Sequence, residues 1–206
     1  MAVKFKRLKG ERRGQIMAAA GQLFADRGMS AVSIADITAA AGVSVGTFYR
    51  YFPDKEELLH QLLAEAGHVL RHVLADAFEQ ADTPLARFES AGRAFFEKFC
   101  ERHRDLVVIV LRESVGVNAA IEKQRMEIFE LVIGDIVGAI TRVTGAKGRA
   151  AARRAQVVAI CLLGMLERVA YHYYIWAPDS GDQRKAAEEA RAFIRAGLGS
   201  VLQGEG

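Results

Sequence analysis

From Gly42 to Lys55 the chain reads Gly-Val-Ser-Val-Gly-Thr-Phe-Tyr-Arg-Tyr-Phe-Pro-Asp-Lys. Ser44, Thr47, Tyr49 and Tyr51 carry hydroxyls, Arg50 a guanidinium and Lys55 an ammonium. These groups can hydrogen-bond to phosphate oxygens, and a guanidinium can also read guanine through O6 and N7. Gly46 lets a backbone approach a ligand closely, and Val45 can touch a thymine methyl. Phe48 and Phe52, at i and i+4, pack together on the opposite face. This is the residue set of a short helix seated in a DNA groove. Four aromatics around one short helix cannot all enter one small core, so at least one tyrosine faces outward.

The elements needed to position such a helix can be read on either side of it. Ser33 is an N-cap for a helix through Ala40 or Ala41, with Asp36 completing a capping box. Gly42 turns the chain, and Ser44 caps the next helix, which Pro53 stops. Upstream, Ile16, Ala19, Ala20, Leu23 and Phe24 recur at helical spacing, and Gly28 follows as a C-cap. Downstream, Asp54 caps a helix that begins Lys55-Glu56-Glu57 and runs past Leu74, with acids suited to its dipole. Ser33 and Lys55, at the ends of this assembly, are further candidates for contact with a DNA backbone.

Further helices are expected at 84–103, 105–116, 118–144, 148–176 and 183–202, and no strand is evident. The fold class is therefore all-α: a three-helix helix-turn-helix head at 11–54, preceded by a basic, flexible arm at 1–10 and followed by a helical body at 55–206.

Charge separates along the same line. Residues 1–55 hold nine Lys and Arg against four acids, a net +5, within a chain whose total is only +3. A basic head suits a polyanionic partner. A solubilising tail would account equally for the charges in 1–13.

Several function classes find no support. The chain shows no nucleophile–base pair, paired-carboxylate signature or Gly-rich phosphate loop, so neither catalytic residues nor a cofactor is expected. His68 and His72 share a helix face but lack a third ligand, so no metal site is expected. Cys100 and Cys161 fit no redox or metal spacing and read as core thiols of a cytoplasmic protein. The apolar run 155–166 is too short to span a membrane.

The segment from Gly42 to Lys55, together with Ala-Ala-Gly-Gln-Leu-Phe-Ala-Asp-Arg-Gly at the end of the first helix, resembles the TetR family of bacterial transcriptional repressors. The similarity covers roughly residues 11–62. It implies that Thr47, Tyr49, Tyr51 and Lys55 touch the DNA backbone or nearby bases. Two positions depart from the family's pattern: Val45 stands where lysine or proline is frequent, and Tyr51 where histidine is. The resemblance also implies a body that binds a small effector and a homodimer formed through the last two long helices, here about 148–176 and 183–202. Apolar residues around much of 150–176 agree with such a covered helix.

Phe95, Phe96, Phe99, Val110, Met126, Phe129, Ile133, Met165 and Tyr173 are the candidate effector contacts, and they suit a hydrophobic or amphipathic molecule. The expected function is a ligand-responsive repressor on a palindromic double-stranded operator. The alternatives are a small-molecule carrier, or an activator or global DNA-binding protein on the same fold.

Overall fold

The structure, a computed structural model, describes residues 2–202, with side chains described from Glu11 onward apart from Ser200. Among the described residues there are nine α-helices and no strand. They are α1 (Ala2–Arg27), α2 (Ile34–Ala40), α3 (Val45–Tyr51), α4 (Lys55–Glu79), α5 (Pro84–Ala94), α6 (Arg104–Val108), α7 (Ala119–Thr144), α8 (Arg149–Ala170) and α9 (Gln183–Leu202). A 3₁₀ turn at Met29–Ala31 follows α1, and α5, α6 and α8 each continue into a π-helical stretch. The backbone of 2–10, expected as an arm, is the start of α1. Lysine and arginine are good helix formers and no proline interrupts them.

The helix boundaries follow local chemistry. Ser33 and Asp36 form a reciprocal capping box at the start of α2, and this hydrogen bonding lowers the Asp36 pKa. Gly42 takes the left-handed φ of 64° between α2 and α3. The Ser44 hydroxyl accepts from the Thr47 amide to cap α3. Thr83 caps α5, with Pro84 at its first position.

Two compact units result. One comprises Met1–Ala66 with Asp105–Gln124, the other Gly67–Arg104 with Arg125–Gly206. This division differs from a head at 11–54 and a body beyond. The first half of α4, α6 and the start of α7 belong with the head, for reasons visible in the bonding. Arg112, in the π stretch after α6, donates to the Ala25 carbonyl at 2.8 Å, and Glu113 accepts from the Met29 amide at 2.6 Å. These side chains terminate α1 and start the 3₁₀ turn, satisfying backbone groups that helix ends leave open.

In the second unit, α5 and α9 lie against each other. Gly92 packs directly beneath the Ile194 side chain, with no room for a β-carbon unless Ile194 moves. Above it, both oxygens of Glu89 meet Arg195, at 2.7 and 2.6 Å, while Arg191 stands 3.6 Å away. The bidentate hydrogen bonds from Arg195 hold the Glu89 carboxyl below its usual pKa of 4.5. A carboxylate whose pKa is lowered by folding stabilises fully above its unfolded value, and the benefit is lost as pH falls through the folded value. Glu89→Gln should therefore lower stability to urea at pH 7 and narrow the loss of stability that wild type shows below about pH 4.5. Parallel acid limbs for the two proteins would show that the pair contributes nothing.

Candidate nucleic-acid interface and ligand cavity

The first unit is built beneath α3. Phe48 and Phe52 are 0% and 1% exposed, with ring centroids 5.8 Å apart. Ile16, Phe24, Val32 and Ile37 are buried in the same unit. Burying each phenylalanine contributes on the order of 1.5–3 kcal/mol. That matters for two helices of seven residues, since isolated helices this short are marginal in water.

Fixing Phe48 inward dictates what α3 presents outward. Val45 is 46% and Tyr49 55% exposed, and Ser44, Gly46 and Arg50 are exposed as well. Tyr51 is half-buried, its ring 6.5 Å from that of Phe52. Exposed valine and tyrosine beside serine, glycine and arginine make a surface that can meet both sugar–phosphate and base edges.

Three of the sequence-derived candidates sit differently. The sequence places Thr47 outward, but the structure buries it, with its hydroxyl 2.9 Å from that of Ser44. Its position one residue before Phe48 sets it near the buried face, and the short side chain finds a local partner. Ser33 spends its hydroxyl on the α2 cap, donating to Asp36 at 2.6 Å. The Lys55 ammonium donates to the Met29 and Val32 carbonyls at 2.9 and 2.6 Å. It thus pins the turn before α2 to the start of α4 instead of reaching into solvent. Sequence reasoning also missed Arg13, which donates to Gln61 at 2.7 Å and lies 5.6 Å from the Phe52 ring centre.

The second unit contains a half-open cavity of about 510 Å³. Helix α4 contributes Leu74, Ala75 and Phe78, α5 contributes Phe88, Ala91 and Gly92, and α7 contributes Val132, Gly134, Gly138 and Ala139. Leu162, Leu166 and Ile194 add to the wall. Charged groups line it too: Arg71, Glu79, Asp135 and Arg142, with His68 and His72. Arg71 and Asp135 form a bidentate pair at 2.7 and 3.0 Å, which raises the Arg71 pKa. The two imidazoles stack at 6.2 Å, and His72 lies 3.4 Å from Asp76.

None of the nine residues expected to contact an effector lines this cavity. Phe95, Phe96 and Phe99 are packed against one another as core, and Val110 is buried in the other unit. Met126 is exposed. Phe129 lies under Arg125, and Ile133, Met165 and Tyr173 are half-buried elsewhere. Large apolar side chains at helical spacing fill space. The cavity opens where the facing residues are small, so glycines and alanines in α7 were the better signal.

Residues 16–62 match the family model described as "Bacterial regulatory proteins, tetR family". The head is thus similar to that of the TetR family. The matched stretch includes α2, α3 and the beginning of α4. The chain is similar to the HTH-type transcriptional repressor KstR2 of Mycobacterium tuberculosis, 32% identical over 97 residues, which are 47% of this chain and 48% of that protein. An uncharacterized HTH-type transcriptional regulator of Haemophilus influenzae is 32% identical over 109 residues, 53% of each chain. The match thus spans about half the length of these relatives. Among solved structures, the fatty acid degradation regulator FadR of Bacillus halodurans shares the fold, with a TM-score of 0.76 at 18% identity over 91% of this chain and 96% of that one. FadR of Bacillus subtilis, solved with stearoyl-CoA, gives 0.74 at 18% identity over 89% and 97%.

Lys55→Met tests the correction to the site. Losing a charged donor to two part-buried carbonyls should destabilise the protein by about 1.5–3 kcal/mol. The salt dependence of binding to duplex DNA should keep its slope, because no phosphate contact is lost. A slope reduced by about one unit would put Lys55 on the DNA instead.

Proposed function

We propose that this chain is a TetR-like, ligand-responsive transcriptional repressor that binds a palindromic operator as a homodimer and releases it when a hydrophobic or amphipathic molecule enters the cavity. The exposed face of α3 carries this reading. Ser44, Val45, Gly46, Tyr49 and Arg50 stand over a buried aromatic support, as a helix that enters the major groove requires. Kinship with a named repressor over the head supports it.

Dimerisation is supported by what α8 and α9 leave uncovered. Arg149–Trp176 is apolar enough, by length and composition, to cross a membrane, yet only 28% of its most apolar stretch is buried. Val157, Ile160 and Trp176 on this segment and Phe193 on α9 are all exposed. A second copy placed across these helices removes that surface from water in a two-fold, self-complementary contact.

The response is assigned to α4. Its first half belongs to the unit that holds α3, and its second half supplies Arg71, Ala75 and Phe78 to the cavity. A ligand favouring one setting of α4 shifts the population away from the form whose two α3 helices match half-sites about 34 Å apart.

Selection of binding sites from random duplex DNA at physiological salt is the direct test. A palindrome is expected, and recovery of no sequence by folded protein would overturn the regulator reading. On the selected site, Arg50→Ala should cost about 1–3 kcal/mol and relax one base position. Uniform weakening across sequences would make Arg50 a phosphate contact. Ile160→Glu should convert the dimer to monomer in sedimentation and abolish operator binding, whereas an unaltered dimer would place the interface elsewhere.

A further inference from the structure

The cavity has an internal order that follows from how α4 and α7 run. Gly67 packs against Ile128, and Arg71 pairs with Asp135, so the two helices ascend together. Eight residues further along α4 stands Glu79, and seven further along α7 stands Arg142. Both lie about 10–12 Å beyond the Arg71–Asp135 pair at the helical rise per residue, and so at the same end of the cavity. Among the described residues, neither Glu79 nor Arg142 has an ion-pair partner. Between the two ends the wall is apolar, with Ala75, Phe78, Phe88, Ala139, Leu166 and Ile194.

The charges decide the class of ligand. Two arginines and two carboxylates line the cavity, and one of each is already satisfied in the Arg71–Asp135 pair. Besides His68 and His72, what remains is one carboxylate, Glu79, and one guanidinium, Arg142, both exposed. A phosphate-bearing ligand would bring several negative charges to a site with one uncommitted guanidinium, and Glu79 would oppose it. A neutral head that donates to Glu79 and accepts from Arg142 leaves no charge unpaired.

The room for its apolar body comes from α7. Gly134 and Gly138 lie one turn apart, both line the cavity, and a β-carbon on either would meet nothing within 4 Å. Packing therefore does not require glycine at these sites, and glycine is a poor residue for a helix interior. The cost is sustained where the bare backbone widens the cavity, on the same helix face that leads to Arg142.

Resting on the regulator reading for its biological role, we propose that the cavity binds a compact, uncharged amphiphile about 12 Å long, its hydroxyl head between Glu79 and Arg142 and its apolar body against Gly134 and Gly138. These two glycines set the width of ligand accepted.

Calorimetric titration of the full chain with four probes that share a ten-carbon tail tests this, all below their micellar concentrations: decanol, decanoate, decylamine and decanoyl-CoA. Decanol should bind one per chain, and the charged probes at least about tenfold more weakly, the cost of an unmatched charge. Gly138→Leu should fold and lose decanol binding by more than about tenfold, because its side chain occupies the cavity. Gly138→Ala should melt higher than wild type without ligand yet bind decanol more weakly. Tightest binding by decanoyl-CoA or decanoate, no saturable binding by any probe, or unaltered decanol binding in Gly138→Leu would each overturn the proposal. Site selection on DNA separates the two readings. A palindrome without decanol binding defeats only this inference, and decanol binding without a selected sequence defeats only the regulator.

Discussion

The exposed face of α3 depends on a problem of length. Helices α2 and α3 have seven residues each, too few to persist alone, since nucleation of a helical turn is costly and few bonds repay it. Burial of Phe48 and Phe52 supplies what propagation cannot. It also fixes rotation about the α3 axis, so Tyr49 and Arg50 face solvent because Phe48 does not. A change in the foundation therefore acts on that exposed face without touching it. Thr47 shows the limit of that surface: one residue from Phe48, it falls inside and bonds to Ser44.

The second unit follows an opposite rule. There the useful feature is missing volume, bordered by Ala75, Ala91, Gly134, Gly138 and Ala139. An unfilled interior forfeits dispersion contacts, so such a cavity is maintained at a cost in stability. Part of that loss is offset nearby. The Glu89–Arg195 pair and the close contact of Gly92 with Ile194 hold α5 to α9, and the Arg71–Asp135 pair holds α4 to α7. Arginine's planar fork suits both bidentate pairs.

Much of this was legible in the sequence where chemistry is local. Ser33 with Asp36, Gly42, Ser44, Thr83 and Pro84 mark helix ends within a few residues of their effect, and the helical spans follow from them. The pairing of Phe48 with Phe52 needs only helical periodicity. Thr47 and Ser33 were misread although their partners lie three residues away, whereas Lys55 and the cavity depend on residues distant in sequence. Lys55 bonds to carbonyls 26 and 23 residues away, and nothing in its own neighbourhood distinguishes it from a solvent-facing lysine. The cavity was misassigned for a related reason. Periodicity marks which residues are buried, but whether a buried residue fills a space or borders one depends on the residue opposite.

The stretch that matches the family model, residues 16–62, is shorter than the unit that folds around it. Helix α1 ends at Arg27, where its last carbonyls need donors. One donor is Arg112, and the Met29 amide just beyond finds its acceptor in Glu113. These residues belong to a π-helical stretch, in which the added residue per turn changes the direction of the side chains that follow. Gly21 has its own constraint from the same segment, since a β-carbon there would come within 2.9 Å of an Asp105 carboxylate oxygen. The head is thus closed by a segment more than forty residues beyond the last position that the family model matches. Substitution in α6 and the π stretch after it is therefore not neutral for the first unit. A substitution at Arg112 or Glu113 acts on the end of α1, one at Asp105 acts beside Gly21 within it, and each acts through α1 on the support beneath α3.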